Sequence, residues 1–146
     1  PAGANLAGAN LAWANLAWAN LAGTVLDPAR PLPDPRPALA AAGFEVAGDG
    51  YVYAWRTYQS QHVGPAQYGV GVHEAPYFSR CVLSACHPGI YFWSEEKLKE
   101  SYPGAHLVPV RVRPEDIVAS EGKFRARRIE VMDEAAWRAA KEGRSP

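Results

Sequence analysis

Four side chains with metal-binding chemistry lie close together in the chain: His73, Cys81, Cys86 and His87. Thiolates and imidazoles are zinc ligands, and four such groups can close a tetrahedral site. Zinc sites are usually marked by tight paired cysteine knuckles, which Cys81-x4-Cys86-His87 lacks. The residues therefore read first as two buried cysteines and loop histidines, with zinc as the alternative. Two cysteines are also too few for a disulfide framework. Glu95 and Glu96 are adjacent on an expected helix, face different ways and form no acid–base pair. Gly69-Val70-Gly71 lacks the strand–turn–helix setting of a dinucleotide fingerprint, and there is no Gly-x-Ser-x-Gly elbow.

A second set is more spread out: His62 before Val63-Gly64, Tyr91 within Gly89-Ile90-Tyr91-Phe92, and Glu130 within Arg128-Ile129-Glu130-Val131. This order resembles the ADP-ribosyltransferases, in particular their poly(ADP-ribose) polymerase-like branch. The resemblance implies NAD as cofactor. The Tyr91 ring would stack on nicotinamide, His62 would bond the ribose, and Glu130 would polarise a ribose hydroxyl. Arg56, on the preceding strand, would contact the dinucleotide. The chain departs from that family in carrying Cys86-His87-Pro88 where a glycine-rich segment stands. Read from the residues alone, Gly-Ile-Tyr-Phe is a common buried strand and Glu130 a strand-surface residue beside arginines. No catalytic residue and no cofactor is favoured, and the transferase is the alternative to a non-enzymatic protein.

The elements that would hold these residues can be read along residues 38–146. Pro37 to Ala42 is a short helix stopped by Gly43. Phe44-Glu45-Val46, a Gly48-Asp49-Gly50 turn and Tyr51 to Arg56 read as a hairpin. Residues 59–80 read as one long loop, a length that usually signals function or mobility. Gly89 to Trp93 is a buried strand, and Ser94 caps a helix to about Ser101 with Glu95 and Glu96 in its first turn. Leu107 to Arg113 is a strand that Pro109 marks as an edge or a bulge. Pro114 to Val118 reads as a helical turn, Lys123 to Val131 as one strand with a bulge near Arg127-Arg128, and Asp133 caps a last helix carrying Trp137. Four or five strands and two or three helices make this an α+β domain.

The amino-terminal part is different. Residues 4–23 repeat one phrase four times, from Ala4-Asn5-Leu6-Ala7-Gly8 to Ala19-Asn20-Leu21-Ala22-Gly23. A period of five suits neither helix nor strand. In a coil that turns a corner every five residues, Leu6, Leu11, Leu16 and Leu21 each point inward. The phrase resembles the pentapeptide-repeat family, which implies a short right-handed quadrilateral β-helix. The expected fold class is therefore mixed: a β-helix segment over 1–27, a stiff proline-rich linker over 28–37, and the α+β domain. Four repeats make one coil, which cannot bury its own apolar face and leaves open edges. The chain also starts within a repeat and lacks an initiating Met, so a processed start or a piece of a longer repeat protein is expected.

Fifteen basic and fifteen acidic residues balance, so no nucleic-acid footprint is expected. No apolar run approaches the ~20 residues of a membrane span, and no signal peptide is visible. The segments Cys86 to Tyr91, Val108 to Val112, Pro114-Glu115-Asp116-Ile117 and Lys123 to Arg128 resemble small domains that accompany pentapeptide repeats in phage and bacterial proteins. That resemblance implies no activity. The expectation is a structural or interaction protein, cytoplasmic or virion-associated. It would meet a partner protein, or another copy, through the open β-helix edge and through Trp13 and Trp18, since exposed tryptophans are enriched at binding hot spots.

Overall fold

Small and branched apolar residues alternate with larger polar or aromatic ones along Val52–Thr57, Leu107–Val112 and Arg128–Val131, so each segment has one face to bury. The chain, seen as a computed structural model describing residues 31–60, 67–76, 78–81 and 88–143, uses that pattern in two antiparallel sheets. Strands β1 (Val52–Thr57), β2 (Gly71–Glu74), β4 (Leu107–Val112) and β7 (Arg128–Val131) form one sheet in the order β1-β4-β7-β2. Strands β3 (Ile90–Phe92), β5 (Ile117–Ser120) and β6 (Lys123–Ala126) form the other in the order β3-β6-β5. Val52, Ala54, Val110, Val112, Ile129 and Val131 face Ile90, Phe92, Phe124, Ala126 and Ile117 across the main core. Phe44 fills its end, with ring centroids 6.1 Å from Phe92 and 5.6 Å from Phe124. Burial of each such side chain is worth about 1.5–3 kcal/mol, which makes this core the main source of stability.

Helices α1 (Arg36–Ala41), α2 (Glu95–Ser101) and α3 (Glu134–Lys141) are too short to stand alone and are held by packing. Leu39 ties α1 to the main core. Ser94 and Asp133 cap α2 and α3 through the amides of Lys97 and Ala136. Leu98 and Trp137 then form a second core with Tyr53 and Trp55 on the outer face of the four-stranded sheet.

Several expectations change. The described residues form a small α+β domain of two antiparallel sheets, and no β-helix occurs among them, so the mixed class expected above is corrected to α+β. The physical reason lies in the periods that are realised: alternation by two and helical turns bury the core of the described residues, and no five-residue coil occurs among them. The repeat, with Leu6, Leu11, Leu16, Leu21, Trp13 and Trp18, lies outside the described residues. Lys123 to Val131 is not one bulged strand. It is two strands in different sheets, joined at Arg127, whose N–H donates to the Asp116 carbonyl while its own carbonyl accepts from Ala75. The change of phase read as a bulge is the chain crossing between sheets. Residues 114–118 form a 3-10 turn, Pro114–Asp116, that runs into β5 rather than one helical turn.

Pro109 also sits in a central strand, not at an edge. Trp55 exchanges hydrogen bonds with Trp93 (2.9 and 2.8 Å), so odd residues of β1 turn away from β4. By alternation Pro109 turns toward β7, and its carbonyl accepts from Met132 at 3.0 Å. The missing N–H falls beyond the two-pair β4–β7 ladder, where it breaks nothing.

Candidate interaction site at the free edge of β2

The long loop expected over 59–80 contains a strand. Gly71–Glu74 pairs with β7 in the register Gly71–Val131 to Glu74–Arg128 and forms one edge of the four-stranded sheet. Because Met132 bonds toward β4, the even residues of β7 serve that strand and the odd ones serve β2. Gly71 and His73 therefore spend their backbone groups inward, as does Ala75, whose N–H donates to Arg127 at 2.9 Å. Val72 and Glu74 direct theirs to the other side, where no strand pairs with β2 among the described residues. The side chains of this edge are unusual as well. Val70 is 77% exposed and Val72 51%, the two most exposed large apolar residues described. Native edges are commonly blunted by Lys, Pro or bulges, and this one carries valines.

Beside the edge, on the outer face, lies a cleft of about 200 Å³ lined by Tyr51, Val72, Arg111, Arg113, Arg128 and Glu130. Strand register sets it up: Tyr53, Arg111, Glu130 and Val72 form one cross-strand row. Arg111 donates from Nε to Glu130 at 2.8 Å. The Arg111 and Arg113 guanidiniums lie 4.2 and 4.5 Å from the Tyr51 ring centre. Burial alone would lower the Arg111 pKa, but its hydrogen bonds to Glu130 and Tyr53 raise it overall. Burial, and then the hydrogen bond that Tyr53 donates to Asp49, push the Tyr53 hydroxyl up, so it stays a neutral donor. A second cleft, of about 360 Å³, lies between Tyr58, Gln59, Tyr102, Gly104 and His106, with the Tyr58 and His106 rings stacked at 4.7 Å. No Asp, Glu, Lys or Arg lines it among the described residues.

The residues singled out from the sequence are placed as follows. Arg56 and Tyr91 are brought together: buried Arg56 donates from Nη1 to the Tyr91 carbonyl at 2.9 Å and stacks on Tyr68 at 3.8 Å. Burial lowers the Arg56 pKa. Glu130 is not brought to them. Arg56 shares the inner face of the four-stranded sheet with Val52 and Ala54, whereas Glu130 stands on the outer face with Arg111. His73 lies on β2, its Nε2 2.6 Å from the Gly69 carbonyl and its ring edge-on to Tyr68. Cys81 is buried. His62, Cys86 and His87 lie outside the described residues, and among those described no cluster of three or more His, Cys, Asp or Glu could hold a metal. No described helix is long and apolar enough to cross a membrane. The β2 edge was missed because four residues amid Gly, Gln and Pro give too short a period-two signal. The alternation Val70-Gly71-Val72 was the one available hint.

Comparison of the chain with protein-family models, with curated proteins and with solved structures finds no match.

Proposed function

We propose that this chain is a non-enzymatic interaction protein whose α+β domain takes up an extended segment of a partner protein along β2. The observation that carries this reading is the edge itself: outward backbone groups at Val72 and Glu74 beside two exposed valines. An added strand gains affinity from main-chain hydrogen bonds and specificity from alternate side chains, so such an edge needs no catalytic group. The repeat with Trp13 and Trp18 belongs to the same reading as a further contact segment. A cytoplasmic or virion-associated setting also belongs to it, supported by the resemblance of residues 86–132 to repeat-associated phage and bacterial domains.

The test is a selection of peptides on the wild-type protein, followed by titration into Val72→Pro. A proline at 72 removes the outward N–H that an added strand would use, adds no charge and leaves the pairing of β2 with β7 intact. Selected peptides are expected to shift the amide resonances of residues 70–74 and to bind the variant about tenfold more weakly, a loss of about 1.4 kcal/mol. Peptides that bind both proteins equally would overturn the reading.

The separation of Glu130 from Arg56 and Tyr91 by a whole sheet supports the same conclusion against an NAD-using transferase. Incubation with NAD is expected to release nicotinamide no faster than buffer does, and Glu130→Gln is expected to leave that rate unchanged. Release that depends on Glu130 would reinstate the enzyme.

A further inference from the structure

The charges beside the β2 edge are unevenly engaged. Of the two carboxylates lining the cleft, Glu130 is held by Arg111 at 2.8 Å, and Asp116 is held by the Arg127 Nε at 3.1 Å. Arg113 and Arg128, which line the same cleft, are held only loosely. Arg113 lies 3.9 Å from Glu115 and Arg128 lies 3.9 Å from Glu74, and all four side chains are more than half exposed. Ion pairs of that length in water contribute about 0–1 kcal/mol, so either guanidinium can exchange its partner. Tyr51 holds Arg111 and Arg113 against its ring, which limits the rotamer freedom that binding would otherwise cost. On the edge itself Glu74 stands directly opposite Arg128, and Val72, two residues away on the same face, lines the cleft without offering a competing hydrogen bond.

We infer that the segment taken up by β2 is acidic: it carries a Glu or Asp whose carboxylate reaches Arg128 over the β2 edge, displacing Glu74, with Arg113 adding to the attraction. This rests on strand addition at β2. An added strand lies about 4.8 Å beyond β2, and its alternate side chains stand on the outer face beside Val72. Arg128 stands one strand further in, opposite Glu74. A glutamate leaning inward and an arginine leaning outward meet over β2. The carboxylate replaces Glu74 as the partner of Arg128, and no proton or bond changes hands.

Two acetylated heptapeptides separate the possibilities: Ser-Thr-Val-Glu-Val-Thr-Ser and its isostere with Gln in place of Glu. Each is titrated into the full chain at low and at high salt and followed by amide shifts. The Glu peptide is expected to bind about fivefold tighter at low salt, within the range of an exposed charge pair. That advantage is expected to shrink as salt screens it, to vanish in Arg128→Gln and to fall in Arg113→Gln. Both arginines are solvent-exposed, so neither variant threatens the fold. Equal binding of the two peptides at β2 would overturn the acidic inference and leave strand addition standing. Binding of neither peptide would overturn strand addition and the inference with it.

Discussion

Replacing Arg125 with alanine is expected to lower the unfolding free energy by about 3–5 kcal/mol, measured by urea denaturation. Arg125 lies on β6 and is 1% exposed. Its Nε donates to the Ser79 carbonyl at 3.0 Å and its Nη2 to the Cys81 carbonyl. Burial lowers its pKa, and its partners are carbonyls and the Tyr91 hydroxyl rather than a carboxylate. The side chain thus ties Phe78–Cys81 onto β6. Alanine leaves buried carbonyls without this donor, at about 1–3 kcal/mol each, and removes the packed stem as well. Lysine cannot present a planar fork to two carbonyls, so Arg125→Lys is expected to recover less than half of the loss. A cost below about 1 kcal/mol for alanine would refute the cross-link.

Gly89 offers an internal check on that prediction. A Cβ at this position would fall 3.0–3.2 Å from three stem atoms of Arg125, on a backbone with φ of +151°. Gly89→Ala alone is expected to cost about 1–3 kcal/mol through overpacking. Part of that cost is expected to disappear in the Arg125→Ala background, where the stem is gone. The coupling measured by the double-mutant cycle is then the steric contact itself.

Trp137→Ala is expected to cost about 3–5 kcal/mol and to release α3. Trp137 is buried, meets Tyr53 and Trp55 edge to face at 5.9 and 5.3 Å, and donates its indole N–H to the Val110 carbonyl at 2.9 Å. It is the one buried residue of an eight-residue helix, which is too short to persist in water without packing. The far-ultraviolet helical signal is therefore expected to fall before the sheets melt. Trp137→Phe keeps a ring and loses the hydrogen bond, so it is expected to cost about 1–2 kcal/mol. Equal losses for Phe and Ala would mean that the hydrogen bond, not the ring packing, holds the helix.

Local chemistry was legible where it acts locally. Ser94 ahead of Glu95-Glu96, and Asp133 ahead of Trp137, announced α2 and α3, because a cap and its helix lie within a few residues of each other. The strands at 52–57, 90–92 and 107–112 were announced by short runs rich in β-branched and aromatic residues. Non-local decisions were not legible. Pro109 argues for an edge only until its partners on both sides are known. The change of phase at Arg127 is compatible with a bulge or with a change of sheet, and only the bond from Arg127 to Asp116 decides between them. Arg56, Tyr91 and Glu130 were named together only through the transferase resemblance, and the side of the sheet that Glu130 faces depends on parity, since a shift of one residue reverses every side chain.

Composition, caps and alternation determined that residues 38–146 read as an α+β domain with aromatic-rich strands, because these signals arise between near neighbours along the chain. Only the tertiary structure decided which strand is an edge, which arginines share a cleft and which are buried among carbonyls. Those outcomes depend on pairing between segments tens of residues apart, where the energy of a contact is set by what lies across the sheet and not by the residue's own type.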